Sequence, residues 1–310
     1  MRDPLMTAII CTRNRSVLLD SCIRSVLSQT LPRQKYEILI VDNNSTDDTA
    51  AVCAAYTDQG IRSVIEPVVG LSRARNTGWR EARGEFVGYL DDDATAEKTW
   101  LAAALESFLQ PETMPDWVGG PIYLRWEVQA PDWINEELRV PLGYVYWGEG
   151  PRRLTTAERL GGGNSFYPKV RLAELGGFEE RLGRQRDSLL SGEETHLQKR
   201  IERDGGFLFY HPQVSIHHNV PLERTRASWF YHRYFWGGVS DVVMRCTLPA
   251  DIPSALGGVV AGPKKGGRVC RLLANATAAL GLAVSQARRI QGRIYMSYVL
   301  GRIYGVVRGL

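Results

Sequence analysis

Three adjacent carboxylates, Asp91, Asp92 and Asp93, follow the apolar run Phe86-Val87-Gly88-Tyr89-Leu90. Like charges at the end of a buried strand repel one another unless a cation neutralises them, and no basic residue adjoins them in sequence. Mg²⁺ or Mn²⁺ meets that need, because a hard divalent ion is held by one or two carboxylates and completes its shell with substrate phosphate oxygens. Asp91 and Asp93 share one face of an extended segment. The plainer alternative is an acidic loop capping a helix that begins near Ala96. Asp42 ends another apolar run, where it can accept hydrogen bonds from a uracil-like base or a ribose, or serve with Ser45 as turn and cap.

These acids require elements that bring them together. Short apolar runs at residues 7–11, 36–41, 61–65 and 86–90 alternate with helical patterns such as Leu19, Ile23 and Val26, which is the form of βαβ units and a largely parallel α/β sheet. In open sheets of this kind ligands bind beyond the carboxyl ends of the strands. Those ends are Cys11-Thr12-Arg13-Asn14, Val41-Asp42-Asn43-Asn44 and Leu90-Asp91-Asp92-Asp93. No G-x-G-x-x-G follows the first strand and no Walker loop is present, so a dinucleotide-binding Rossmann unit and a P-loop are both disfavoured. The Gly-rich basic loop typical of sugar nucleotidyltransferases is missing as well, and no serine or cysteine stands in a nucleophile pattern.

The segments TAIICTRNR, YEILIVDNNSTDDT, GLSRARNTGWREARGEFVGYLDDDA, GGFEERLGR and GEETHLQKRIERDGG resemble, in this order, those of family 2 glycosyltransferases of GT-A fold. The match runs over residues 7–218. The resemblance implies a Rossmann-like, mostly parallel sheet flanked by helices, and a metal-dependent transfer of a sugar from a nucleoside-diphosphate sugar to an acceptor hydroxyl with inversion. It implies that Asp42 contacts the nucleobase, with Thr12 and Arg13 nearby. Asp91 and Asp92 fall in the donor site, Asp91 and Asp93 on the metal, Arg73 and Asn76 in the closure of the nucleotide pocket, and Glu194 in the role of general base. His217 or His218 would complete the metal coordination. The family's acid pair is usually Glu-Asp, whereas Glu193-Glu194 stands here, one methylene longer at the base. Ser191-Gly192-Glu193-Glu194 also reads as a capping box that opens a helix ending before Gly205-Gly206. Two alternatives remain open, a catalytically inactive nucleotide-sugar binding protein and a nucleotidyltransferase.

The expected organisation is a catalytic domain over residues 1–220 and a basic, aromatic-rich helical extension over 221–310. The net charge of +4 conceals an asymmetry. No acid follows Asp251, while nine basic residues do: Lys264, Lys265, Arg268, Arg271, Arg288, Arg289, Arg293, Arg302 and Arg308. The whole-chain charge less these nine leaves −5 on residues 1–251. Residues 257–267 are Gly-rich and look like a linker, and the apolar residues 272–284 are too few, at ~1.5 Å each, to span a bilayer about 30 Å thick. A basic amphipathic segment on an anionic membrane surface fits this tail better, presenting the enzyme to a saccharide or lipid-linked acceptor. No nucleic-acid-binding motif is present, so no nucleic acid is expected as a partner. The interleaved bases and aromatics from Arg224 to Trp236 suit an acceptor platform, a membrane-interface belt or simple helix packing. Five scattered cysteines without C-x-x-C spacing read as reduced core residues. The absence of a secretory leader pattern makes a cytoplasmic location the expectation, peripheral on the inner membrane face if the tail binds lipid.

Overall fold

Strands β1 (Met6–Thr12), β2 (Tyr36–Asp42) and β4 (Phe86–Asp91) are apolar along almost their whole length and buried on both faces, as strands covered by helices on either side must be. The computed structural model describes residues 3–109, 112–186, 188–250 and 286–310. The Gly-rich residues 257–267, the apolar residues 272–284 and the four basic residues from Lys264 to Arg271 lie outside the described residues.

The described chain forms two compact units: residues 1–125, 143–180 and 197–219, and residues 126–142, 181–196 and 220–310. The first holds an eight-stranded sheet of order β3-β2-β1-β4-β9-β6-β10-β8, whose further strands are β3 (Arg62–Ile65), β6 (Trp117–Gly119), β8 (Arg152–Arg153), β9 (Asn164–Pro168) and β10 (Leu208–Tyr210). Strands β3, β2, β1 and β4 run parallel, and β9 enters antiparallel between β4 and β6. Helix α1 (Ser16–Leu27) packs on one face through Leu19, Cys22, Ile23 and Val26, while α2 (Thr49–Ala55) contributes Cys53 to the same cluster. Helix α3 (Leu71–Glu81) lies close to the sheet because Gly78 has no side chain, and a Cβ there would stand 2.7 Å from Ile9.

The helix expected near Ala96 starts later. Ala94–Ala96 is instead strand β5, and α4 begins at Trp100 (Trp100–Leu109). A partner from far along the chain explains the difference: β11 (Ile216–Val220) pairs antiparallel with β5, with His217 opposite Thr95 and His218 opposite Ala94. With β7 (Ile122–Trp126) these strands form a small second sheet of order β5-β11-β7.

In the second unit, α8 (Ala227–Thr247) and α9 (Gln286–Val307) pack together. Glycines let them touch, since a Cβ at Gly238 would collide with the Tyr298 carbonyl and one at Gly301 with the Phe235 carbonyl. Short helix α5 (Glu136–Arg139) is capped by Asn135, and nearby Trp133 packs edge-on to Phe230 of α8 at 5.1 Å. Leu182 and Leu190 pack in one cluster with Val239 and Val243 of α8, so this unit draws on three stretches of the chain. Between β9 and β10 come α6 (Lys169–Glu174) and α7 (Glu193–Arg203).

Candidate functional site

Register brings the strand ends level: Thr12 lies opposite Asp42, and Cys11 opposite Asp91. The three sequence segments with chemistry therefore end on one edge of the sheet, as its parallel order requires.

Asp42 is buried, and its Oδ1 accepts the Ser45 backbone N–H at 2.9 Å, so the turn expected from the Asp-Asn-Asn-Ser sequence forms. Asn43 beside it holds the loop that enters α3: its Oδ1 accepts the Gly70 N–H, and its amide donates to the carbonyls of Glu66 and Val68. Arg13 is exposed.

Thr12 points at the acidic loop, its hydroxyl donating to Asp92 Oδ2 at 2.8 Å. Arg15, three residues past β1, reaches the same loop, its Nη1 donating to Asp92 Oδ1 at 3.0 Å and to Asp93 Oδ2 at 2.5 Å. The carboxylate trio thus has a protein cation that adjacency in sequence conceals. Burial pushes the Asp92 carboxyl up to about 6, against the pull of Arg15. Burial works against the Arg15 charge, but the acids outweigh it and the guanidinium holds its proton more firmly than usual. Cys11 beside them is pushed up to about 12 by burial, which keeps it a neutral thiol and no nucleophile.

Asp91 is placed differently. Its side chain is 42% exposed, with Arg75 Nη2 at 3.4 Å. Arg75 is buried, and its guanidinium stands over the rings of Tyr89 and Phe178. Sequence pattern alone singles out Arg73 and Asn76, its neighbours in the same segment, and misses Arg75. Arg73 pairs with Glu180 at 2.9 Å. Asn76 is buried, accepts the Phe178 N–H and donates to the Phe178 carbonyl, both at 2.9 Å. Its amide therefore fastens α3 to the Gly176-Gly177-Phe178 turn. Sequence pattern also misses Gly161, Gly162 and Gly163. A Cβ at Gly163 would collide with the Asp91 carboxylate, and one at Gly162 would stand 3.0 Å from Arg75. Three consecutive glycines opening a strand were the available signal, since such a run marks close approach to a neighbour.

The two histidines separate as alternate residues of a strand do. His218 is buried, with Nε2 3.3 Å from Asp93 Oδ1. His217 is turned toward Glu97, with Nε2 2.9 Å from its Oε1, beside the Tyr123 ring. The structure brings His218 to the acidic loop and not His217. Among the described residues no cluster of three or more His, Cys, Asp or Glu side chains is arranged to hold a metal alone. Asp91, with its open carboxylate, and Asp93, with His218 beside it, nevertheless suit an ion that draws its remaining ligands from a bound diphosphate.

Glu194 lies in the second unit, in the first turn of α7. The capping box does not form. The helix begins at Glu193, so Gly192, at φ +97°, precedes it, and the Ser191 groups are engaged elsewhere. The Ser191 N–H donates to Ser240 Oγ at 3.0 Å, and its hydroxyl accepts from Arg233 Nη1 at 3.0 Å. Glu194 Oε2 is shielded from solvent and has no hydrogen-bond partner among the described residues. Arg233 is buried, and the charges of Glu194 and Glu193 act on its guanidinium.

Comparison with known proteins agrees with this geometry. Residues 7–157 match the family model described as Glycosyl transferase family 2. The chain is similar to a glucosyl-dolichyl phosphate glucuronosyltransferase of Haloferax volcanii, at 28% identity over 79% of this chain and 78% of that one. It is also similar to succinoglycan biosynthesis protein ExoM of Rhizobium meliloti, at 26% identity over 97% of this chain and 91% of that one. Among solved structures, the mannosyltransferase PcManGT of Pyrobaculum calidifontis, in complex with GDP-Man and Mn²⁺, superposes with a TM-score of 0.61 at 20% identity, over 99% of this chain and 88% of that one.

Proposed function

Because this chain belongs to the family 2 glycosyltransferases and has their GT-A fold, we propose that it transfers a sugar from a nucleoside-diphosphate donor to an acceptor hydroxyl, with inversion and with a divalent ion. The observation that carries this reading is the acidic loop after β4, where Asp91 keeps a half-exposed carboxylate and Asp93 lies 3.3 Å from His218. The solved PcManGT complex holds GDP-Man and Mn²⁺, which supports the same assignment here.

Asp91, Asp93 and His218 would hold the ion, which when bound supplies positive charge for the departing diphosphate. His217, paired with Glu97, is left out of the set. Thr12 and Arg15 fix Asp92 and Asp93 in place before substrate arrives, so little reorganisation accompanies binding. Asp42 and Asn43 form the edge on which the nucleoside rests, with the exposed Arg13 close in sequence to Thr12. Arg73 and Asn76 act on this edge by anchoring α3 to residues 178–180.

Glu194 serves as the base. It accepts the acceptor hydroxyl's proton as that oxygen attacks the anomeric carbon and the bond to the diphosphate breaks on the opposite side. The observation that Oε2 has no hydrogen-bond partner among the described residues favours this role over a helix cap. The relatives' names refer to a dolichyl phosphate glycolipid and to succinoglycan. They support a lipid-linked or saccharide acceptor in glycolipid or polysaccharide synthesis, with the basic carboxy-terminal region at an anionic membrane surface. None of the helices described is long and apolar enough to cross a membrane.

The test is a product assay with Mn²⁺ and a panel of sugar nucleotides, followed by phosphorus NMR. Release of nucleoside diphosphate is expected. Release of pyrophosphate would make the chain a nucleotidyltransferase, and calorimetric binding without turnover on any donor and acceptor would make it a binding protein.

A further inference from the structure

Helix α9 uses one side to pack. Ile290 and Ile294 are buried, Gly301 and Gly305 lie against Phe235 and Val242 of α8, and the Tyr298 hydroxyl donates to Asp241. The other side carries apolar residues into solvent. Met296, Leu300, Ile303, Tyr304 and Val307 follow the 3.6-residue period along one face, and Leu300, Ile303 and Val307 expose 53%, 54% and 79% of their surface. Arg289 and Arg293 stand on the same face, two turns and one turn before Met296, and Arg308 flanks the far end with its guanidinium over the Tyr304 ring. From Gln286 to Leu310 there is no acid.

We propose that this face of α9, apolar over residues 296–307 and arginine-flanked at both ends, is the surface by which the enzyme lies in the interface of an anionic lipid bilayer. The inference rests on the reading of the carboxy-terminal region as membrane-facing, and it moves the apolar contact from residues 272–284 to α9. A helix of this pattern sets its aliphatic stripe at the acyl boundary, while arginines extend toward lipid phosphates. A second copy fits less well. Two-fold docking of the stripe on itself would bring arginines against arginines, with no acid on either helix to answer them. An anionic headgroup layer offers negative charge to the arginines, Arg293 before the stripe and Arg308 at its far end.

The experiment uses the full chain with vesicles of phosphatidylcholine alone or mixed with phosphatidylglycerol, read by cosedimentation. Wild type should bind the anionic vesicles, weakly bind the neutral ones, and lose affinity as salt rises. The combined variant Leu300→Ser, Ile303→Ser, Val307→Ser, changed only at exposed positions, should bind anionic vesicles at least tenfold more weakly while its thermal midpoint and its turnover on a water-soluble acceptor stay unchanged. A second variant, Arg289→Gln, Arg293→Gln, Arg308→Gln, should lose the preference for anionic lipid. Equal binding by wild type and the serine variant overturns the proposal. So does a wild-type dimer in sedimentation velocity that the serine variant dissolves, which would make the face a contact between copies. Vesicle binding is measured without donor, so its failure leaves the glycosyl-transfer reading standing, and absent turnover would leave the lipid result standing.

Discussion

Replacing Glu194 with glutamine separates the base from a structural role with little change of shape. The variant keeps the side-chain length and loses the proton acceptor. Oε2 is shielded and has no hydrogen-bond partner among the described residues, so an amide nitrogen in place of that oxygen leaves a donor unmet, at a cost of about 1–3 kcal/mol. The buried Arg233 also loses the charge of one acidic neighbour but keeps Glu193. In a chain of this size about 1 kcal/mol lowers the melting midpoint by roughly 2–4 °C, so Glu194→Gln should remain folded at 25 °C. Loss of a general base lowers turnover about 10²- to 10⁴-fold, which corresponds to ~3–5 kcal/mol on the barrier. The kinetic effect therefore exceeds the stability effect, and donor affinity should hardly move. Steady-state turnover, calorimetric titration of nucleoside diphosphate with Mn²⁺ and a thermal melt are the three readings. Turnover within a few-fold of wild type would refute the assignment, and loss of activity in Glu193→Gln instead would transfer the role to Glu193.

Excess EDTA should abolish turnover, with Mn²⁺ restoring it, and Asp93→Ala should not recover at any Mn²⁺ concentration; full activity in EDTA would remove the ion from the reaction. Arg15→Met deprives two buried carboxylates of their shared, one-third-exposed cation, a loss on the order of 1–3 kcal/mol, and Mn²⁺ should raise the variant's melting midpoint more than that of wild type. Equal rises would show that ion and arginine do not share those acids. Gly163→Ala drives a Cβ into the Asp91 carboxylate, an overpacking worth about 1–3 kcal/mol, and should weaken Mn²⁺-dependent nucleotide binding. Gly162→Ala meets the Arg75 guanidinium at 3.0 Å, farther than a Gly163 Cβ would stand from Asp91, a milder clash that should weaken it less; the opposite order in calorimetry would refute the geometry.

The parallel sheet could be read from local pattern alone. Residues 7–11, 36–41 and 86–90 are apolar on both faces, a pattern that survives any error of a residue at either end, and the structure adds only terminal residues to each strand. What the pattern lacked was partners. Nothing between Asp93 and Trp100 reveals that β11, more than a hundred residues later, will pair with Ala94–Ala96 and convert a helix-like stretch into strand. The same pairing decides between the histidines, because strand alternation sends His218 to Asp93 and His217 to Glu97. Local sequence carries the adjacency of the two rings and not their opposite directions in space. Ser191 failed as a cap for a related reason, since α8 arrives with Ser240 and Arg233 and takes both of its polar groups.

The acidic loop shows how a sound physical demand can be met from more than one place. Three adjacent carboxylates do require positive charge, but part of it comes from Arg15 on the neighbouring strand end and from Arg75 on α3. Asp92 and Asp93 are nearly buried and bridged by one guanidinium, which ties the two side chains together. Asp91 alone combines a half-exposed carboxylate with a long contact of 3.4 Å to its arginine, and Gly163 leaves the room its oxygens need. The protein thereby divides three like residues into two that build the loop and one that faces outward. Under the proposed reading, the outward acid and the Asp93 oxygen that faces His218 would be the two carboxylates offered to a divalent ion, which would take its remaining ligands from the donor's diphosphate.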